Sequence, residues 1–278
     1  PTTDVVNKNL AEVKNLLKTY PTTDEVKNIF PYLTNITSYQ TFNKTLKPSH
    51  IEIFVNKWSE LLNYKLSPKM LNYFAHRINL IESNSKGRLA TTIEDSLLRM
   101  LAAGSVKAKT LNVMEIGSLF GIGLTVIYDY VSPRYENVQI FAIDPLDGYY
   151  KEQINDIITG EIINEEIFRF NLSIIPNDNY KLIKSLSTDP SAIKKLGKIK
   201  LNVLIIDGDH SYSGVKNDFE IYKSKLEKNA IIVVDDYKSK DWPEVTKYVD
   251  GELMNNSNLK FIGADFRTAI FKVEKEFN

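Results

Sequence analysis

Between Asn202 and Tyr237 the chain reads NVLIIDGDHSYSGVKNDFEIYKSKLEKNAIIVVDDY, a stretch that admits few folds. Two short apolar runs, Val203–Ile206 and Ile231–Val234, each end in acidic residues. Between them Val215, Phe219, Tyr222 and Leu226 recur at helical spacing, which predicts strand, helix, strand. In a parallel α/β sheet the carboxyl ends of the strands share one edge, where ligands bind. Asp207, Asp235 and Asp236, far apart in sequence, are therefore expected to converge there. Carboxylates brought together repel unless a hard cation or a proton offsets them, so a metal-assisted site is expected.

From Leu111 onward the pattern alternates between strand and helix. Strands are expected at Leu111–Glu115, Val138–Ile143 and near Tyr180–Ile183, with helices at Gly123–Tyr130, about 161–172 and from Asp189. Pro243–Leu253 reads as a helix, and Leu259–Ile262 with Thr268–Val273 as a closing hairpin around Gly263–Asp265. This alternation predicts an open, mostly parallel sheet with one antiparallel strand. Residues 1–106 read instead as a helical N-terminal region, with the boundary at Lys107–Thr110 and residues 107–278 as the second domain. Its apolar stripes are Leu10, Val13, Leu16, Leu17 and Tyr20; then Ile51, Phe54, Val55, Trp58, Leu61 and Leu62; then Leu71, Phe74, Ile78 and Ile81. Ser67-Pro68 supplies a cap and a first-turn proline, and Thr22 with Glu25 and Thr91 with Glu94 fit the capping box. PTTD at Pro1–Asp4 and Pro21–Asp24 marks two helix starts rather than a repeat. The Tyr and Asn of this half would suit a lid, a substrate contact or an oligomer surface.

The first strand runs into Glu115-Ile-Gly-Ser-Leu-Phe-Gly-Ile-Gly123, where Gly117, Gly121 and Gly123 permit a tight turn that lets a ligand approach the backbone. Leu119 stands where the dinucleotide G-x-G-x-x-G pattern needs a glycine. The turn resembles instead the E-x-G-x-x-x-G of class I S-adenosylmethionine-dependent methyltransferases. Asp144, ending the next strand in FAIDP, falls where such folds set an acid against the ribose hydroxyls.

From about Arg88 to Val273 the chain resembles the metal-dependent O-methyltransferases of that class, and most of all those acting on macrolide sugars and related sugars. The resemblance rests on MEIGSLFG, FAIDP, IIDGDHSYSGVKNDFE and VVDDYKSKDWPEV. It implies a Rossmann-like class I sheet with an N-terminal helical extension, S-adenosylmethionine as methyl donor and Mg²⁺ held by Asp207, Asp235 and Asp236. It implies His210 as general base. Glu115, Gly117, Ser118, Gly121, Asp144, Ser187 and Asp207 would line the cofactor, with Ser185 and Ser187 near the adenine. A sugar hydroxyl is a poor nucleophile; a divalent ion lowers its pKa and a neighbouring base removes the proton.

His50 and His76 sit in apolar helical patterns and are read as packing or surface residues. Trp242 reads as packing or as a wall of the acceptor site, and Tyr149 and Tyr150 as lining for the sugar. Asp209 is read as a structural or cofactor-side hydrogen-bonding group. Two other functions stay open: a metal-dependent glycosyltransferase using Asp207-Gly-Asp209 as its D-x-D, and a non-catalytic cofactor-binding scaffold.

Composition narrows the partners. The 35 basic and 35 acidic residues cancel and no basic block occurs, which argues against nucleic acid or an anionic membrane. The absence of cysteine excludes thiol catalysis and zinc–thiolate sites. With no long apolar run and no signal peptide, a cytoplasmic location is expected. The start at Pro1 leaves open an excised domain of a larger polypeptide or a processed chain.

Overall fold

The computed structural model describes residues 46–148, 154–156 and 158–277. The expected stripe at Leu10–Tyr20, the Thr22 cap, the PTTD pair, Tyr149 and Tyr150 lie outside them. The described chain opens with helix α1 (Pro48–Ile53), a π turn (Phe54–Trp58) and a short α2 (Ser59–Leu61). Then come α3 (Pro68–Ser83), α4 (Ile93–Gly104), β1 (Thr110–Ile116), α5 (Ile122–Val131), β2 (Asn137–Ile143) and α6 (Glu165–Asn171). β3 (Tyr180–Ile183), α7 (Pro190–Leu196), β4 (Leu201–Ile206), α8 (Tyr212–Tyr222) and β5 (Leu226–Val234) follow. The chain closes with α9 (Pro243–Tyr248) and the hairpin β6 (Leu259–Asp265) and β7 (Thr268–Val273).

Seven strands form one sheet in the order β3-β2-β1-β4-β5-β7-β6. The pairs from β3 through β5 are parallel, and β7 runs antiparallel to both of its neighbours. This is the expected open sheet with one reversed strand. The apolar runs explain its layering. All six residues of β4 are buried, with Val203 and Ile205 in the core on one face and Leu204 and Ile206 in the core on the other. A strand covered on both sides has no reason to alternate with polar residues.

On the first face the core joins β1 residues Leu111 and Val113 to Leu97, Leu98 and Leu101 of α4 and to Leu71, Phe74 and Ile78 of α3. Residues Gln40–Asn278 accordingly form one compact unit, and packing crosses the 106/107 point at which the sequence pattern changes. Ser67 caps α3 as expected, accepting from the Met70 amide. The cap of α4 lies one residue later than expected: Thr92, not Thr91, accepts from the amide three residues on, at Asp95.

Two other local expectations differ. Leu226 is the first residue of β5 rather than the last of the helix, because α8 ends at Tyr222 and a 3₁₀ turn intervenes. The β6–β7 turn is Phe266-Arg267, with φ of 51° and 62°, between the paired Asp265 and Thr268. Gly263 lies within β6, at a register shift, where an added Cβ would come 2.9 Å from Leu61. Its missing side chain admits the N-terminal helices onto the strand instead of making the turn.

Candidate active site

The glycine turn leaves β1 beside the end of β4. Gly117, at φ 82°, lies so close to the neighbouring loop that a Cβ would stand 2.0 Å from the Asp207 carbonyl oxygen. Gly121, at φ 73°, starts α5, and its Cβ would collide with Leu172 and Phe168. Leu119 also takes the left-handed backbone, at φ 47°. The turn therefore keeps the conformation that the dinucleotide pattern gives to glycine and accepts strain of about 1–3 kcal/mol. Gly123, by contrast, lies inside α5 with an ordinary backbone and room for a Cβ, so the turn does not require it.

Asp144 closes the turn from β2. Its Oδ2 accepts from the Leu119 amide and its Oδ1 from the Leu146 amide, both at 2.8 Å. Burial raises its pKa, against the lowering by these amides. Ser118 is buried, its hydroxyl 3.5 Å from the Glu115 carbonyl. Glu115 is only 3 % exposed. Burial pushes its carboxyl up to about 7, although Arg99 lowers it. Ser187 accepts the Tyr222 hydroxyl on its carbonyl, while the Ser185 hydroxyl donates to Leu186.

At the ends of β4 and β5, Asp207, His210 and Asp236 converge, one ligand atom of each lying within 4.8 Å of the others. His210 Nε2 is 3.5 Å from Asp207 Oδ1 and 3.2 Å from Asp236 Oδ2. Its ring stacks on Trp242 at 4.5 Å and 23°, which fixes the plane of the imidazole. Burial lowers the His210 pKa, but the hydrogen bond and charge of Asp207, with Asp236 and Asp209, outweigh it and the net shift is upward.

Asp235 does not join this group. Its carboxylate is paired with Arg99 and accepts from Thr268 Oγ1 at 3.4 Å. Asp209 turns to the Ser211 amide at 2.9 Å, at the start of α8. His50 contacts Glu94 at 2.7 Å.

The structure adds three residues that the sequence reading missed. Arg99 of α4, with a side chain 5 % exposed, reaches Asp207 Oδ2 at 2.9 Å and Glu115 Oε1 at 3.4 Å besides pairing with Asp235. Arg267 of the hairpin turn bridges Asp95 Oδ2 at 3.2 Å and Asp236 Oδ1 at 3.3 Å. Asp95 is wholly buried and also accepts from Thr268 Oγ1 at 3.1 Å. The acids are thus already partly offset by guanidinium groups. Arg99 holds Asp207 below the usual carboxylate range against the opposing effect of burial, whereas burial and the neighbouring acids drive Asp235 and Asp236 above it. Asp95 and Arg99, four apart on the apolar face of one helix, were the signal available for two of these residues. Nothing in the sequence marks Arg267.

The donor set suits a divalent cation. Two carboxylates whose pKa values move in opposite directions, plus an imidazole, offer oxygen and nitrogen atoms at one point. Among the described residues no helix is long and apolar enough to cross a membrane.

Residues 114–237 match the sequence model of a methyltransferase-domain family. An uncharacterized protein, R132, of Acanthamoeba polyphaga mimivirus is 30 % identical over 151 residues, 53 % of this chain, and the match spans 62 % of that relative's length. Among solved structures the chain is similar to the O-methyltransferase NovP, at 16 % identity, 87 % of this chain, 94 % of that one and a TM-score of 0.47. It is also similar to CalS11, described as a TDP-rhamnose 3'-O-methyltransferase, at 13 % identity, 91 % and 96 % coverage and a TM-score of 0.46. A Podospora anserina methyltransferase, PaMTH1, gives 14 % identity, 92 % and 98 % coverage and a TM-score of 0.47. Residues 114–237 are thus similar in sequence to a methyltransferase domain, and the strand order and the glycine turn with its acid accord with that likeness.

Proposed function

We propose that this domain moves a methyl group from S-adenosylmethionine to a hydroxyl of a sugar or glycoside, assisted by magnesium. The observation that carries the reading is the convergence of Asp207, His210 and Asp236 beside the glycine turn. Asp207 and Asp236 would hold the ion, with Asp235 behind them as the counter-charge of Arg99. Glu115, Gly117, Ser118, Gly121, Asp144, Ser187 and the Asp207 backbone would line the cofactor. The sugar class comes from the likeness of the Asp207–His210 and Asp235–Pro243 segments to sugar O-methyltransferases. Residues 1–106 are assigned to acceptor, lid or oligomer contacts.

His210 would take the hydroxyl proton at Nε2, held in plane by Trp242. A base must be neutral, and the surrounding acids raise the His210 pKa. Magnesium, when bound, would supply a Lewis acid for the hydroxyl and a positive charge that offsets these acids. Reaction then requires the oxygen to approach the donor methyl in line, at about 3–3.5 Å.

Calorimetric titration of S-adenosylhomocysteine, with magnesium and again with chelator, tests the reading. Saturable binding, followed by metal-dependent methyl transfer to a sugar acceptor that Asp236→Asn reduces at least ~100-fold, is expected. No binding in either condition would remove the cofactor assignment. Turnover unaffected by chelation would remove the metal, and an unchanged rate in His210→Ala would remove the base.

A further inference from the structure

We infer that Arg267 is a resident counter-ion of Asp236 that competes with the incoming divalent cation, so that this side chain sets how tightly the site takes metal. The inference rests on the cation reading given above and adds a residue that neither the family match nor the glycine turn points to.

Its first support is the backbone. Two-residue hairpins with positive φ at both positions favour Asn and Gly, yet here Phe266 and Arg267 take 51° and 62°. Two such residues cost about 1–3 kcal/mol each and persist only where surrounding contacts hold them. Phe266 is held by stacking on Phe54, at 5.1 Å and 18°, with the His50 ring also 5.1 Å away. Arg267 is held by Asp95 and Asp236.

The second support is the division of Asp236. Its Oδ1 faces Arg267 at 3.3 Å while its Oδ2 faces His210 at 3.2 Å. A cation on Asp207 and Asp236 would share the second carboxylate with a guanidinium that cannot lose its charge. The other anchor, Asp95, is wholly buried at the start of α4 and shares the Arg267 guanidinium with Asp236, so Asp236 has only part of it. Without a cation, Arg267 offsets part of the surplus negative charge. With one, it repels.

Mn²⁺ binding to the full chain, followed by the electron paramagnetic resonance signal of the free ion, tests this without any turnover. Arg267→Gln should tighten Mn²⁺ binding by about tenfold, and Arg267→Lys, which keeps the charge, should stay nearer to wild type. Mn²⁺ should also raise the melting temperature of Arg267→Gln more than that of wild type. Unchanged or weaker binding in Arg267→Gln, with the wild type binding normally, overturns the inference. If neither protein takes Mn²⁺ while both bind S-adenosylhomocysteine, the cation reading itself falls, and the inference with it. Should Arg267→Gln fail to fold with and without Mn²⁺, Asp95→Asn carries the test from the other side. It removes the competing anchor and should weaken Mn²⁺ binding, and tighter or unchanged binding there would likewise overturn the inference.

Discussion

Asp218 faces the loop between β4 and α8 from inside the domain, 1 % exposed, its Oδ2 lacking a hydrogen-bond partner among the described residues. Burial pushes its carboxyl up to about 7, Asp209 adds to the rise, and Ser187 and His210 oppose it. A folded-state pKa above the unfolded one means that the native form holds the proton more tightly. The resulting stability is complete below about pH 4 and lost as pH rises toward about 7. Asp218→Asn is neutral throughout, so its melting temperature relative to wild type should climb between about pH 4 and about pH 7, by several degrees at ~2–4 °C per kcal/mol. A difference that stays flat with pH would show that the native carboxyl is ionised throughout. At this scale the sequence was informative where acids end strands, since Asp207 and Asp236 meet as their positions imply. It was silent where a counter-charge arrives from another element. Arg99 and Arg267 enter the site from a helix and a turn whose spatial neighbours no local pattern discloses.

At the scale of elements, β1 and the turn after it depend on a single missing side chain. Gly117→Ala sets a Cβ against the Asp207 carbonyl on a left-handed backbone. It should cost about 3 kcal/mol or more, lower the melting temperature by ~10 °C and abolish S-adenosylhomocysteine binding in calorimetry. Gly123→Ala, with its nearest contact at 3.5 Å inside a helix, should bind normally and melt no lower. Equal damage from both substitutions would refute the distinction. The order of the elements was legible because buried parallel strands are continuous apolar runs and the helices between them have their own period. The hairpin turn was not, because Phe266-Arg267 carries none of the residues that normally announce such a turn, while Gly263 advertises one where the chain needed only clearance for Leu61 and Trp58. The α4 cap slipped by one residue for a simpler reason: Thr91 and Thr92 each have an acid three places on, at Glu94 and Asp95.

At the scale of the molecule, the change of pattern near residue 107 does not divide the described core, since α3 and α4 share one apolar cluster with β1, β2, β4, β5 and β7. Trp58, fully buried, donates its Nε1 proton to Asp265 of β6 at 2.8 Å, and Trp242 lies beside the acids. These are the two tryptophans of the chain, so their fluorescence reports on both regions. Unfolding followed by tryptophan fluorescence and by far-ultraviolet circular dichroism should give one coincident transition. An earlier loss of helix with the Trp242 signal intact would separate the two parts. The sheet order has its own consequence. β1 and β4 lie side by side, yet the glycine turn and Asp144 are spelled before Gly197 and the acids from Asp207 onward after it. Gly197 has a φ of 72° and open space where a Cβ would stand, and Lys198 beside it is exposed. A polypeptide cut there would leave two fragments, each carrying half of one pocket and neither able to grip a ligand. Ligand capture would then report on the meeting of the halves, the layout from which a split biosensor is built.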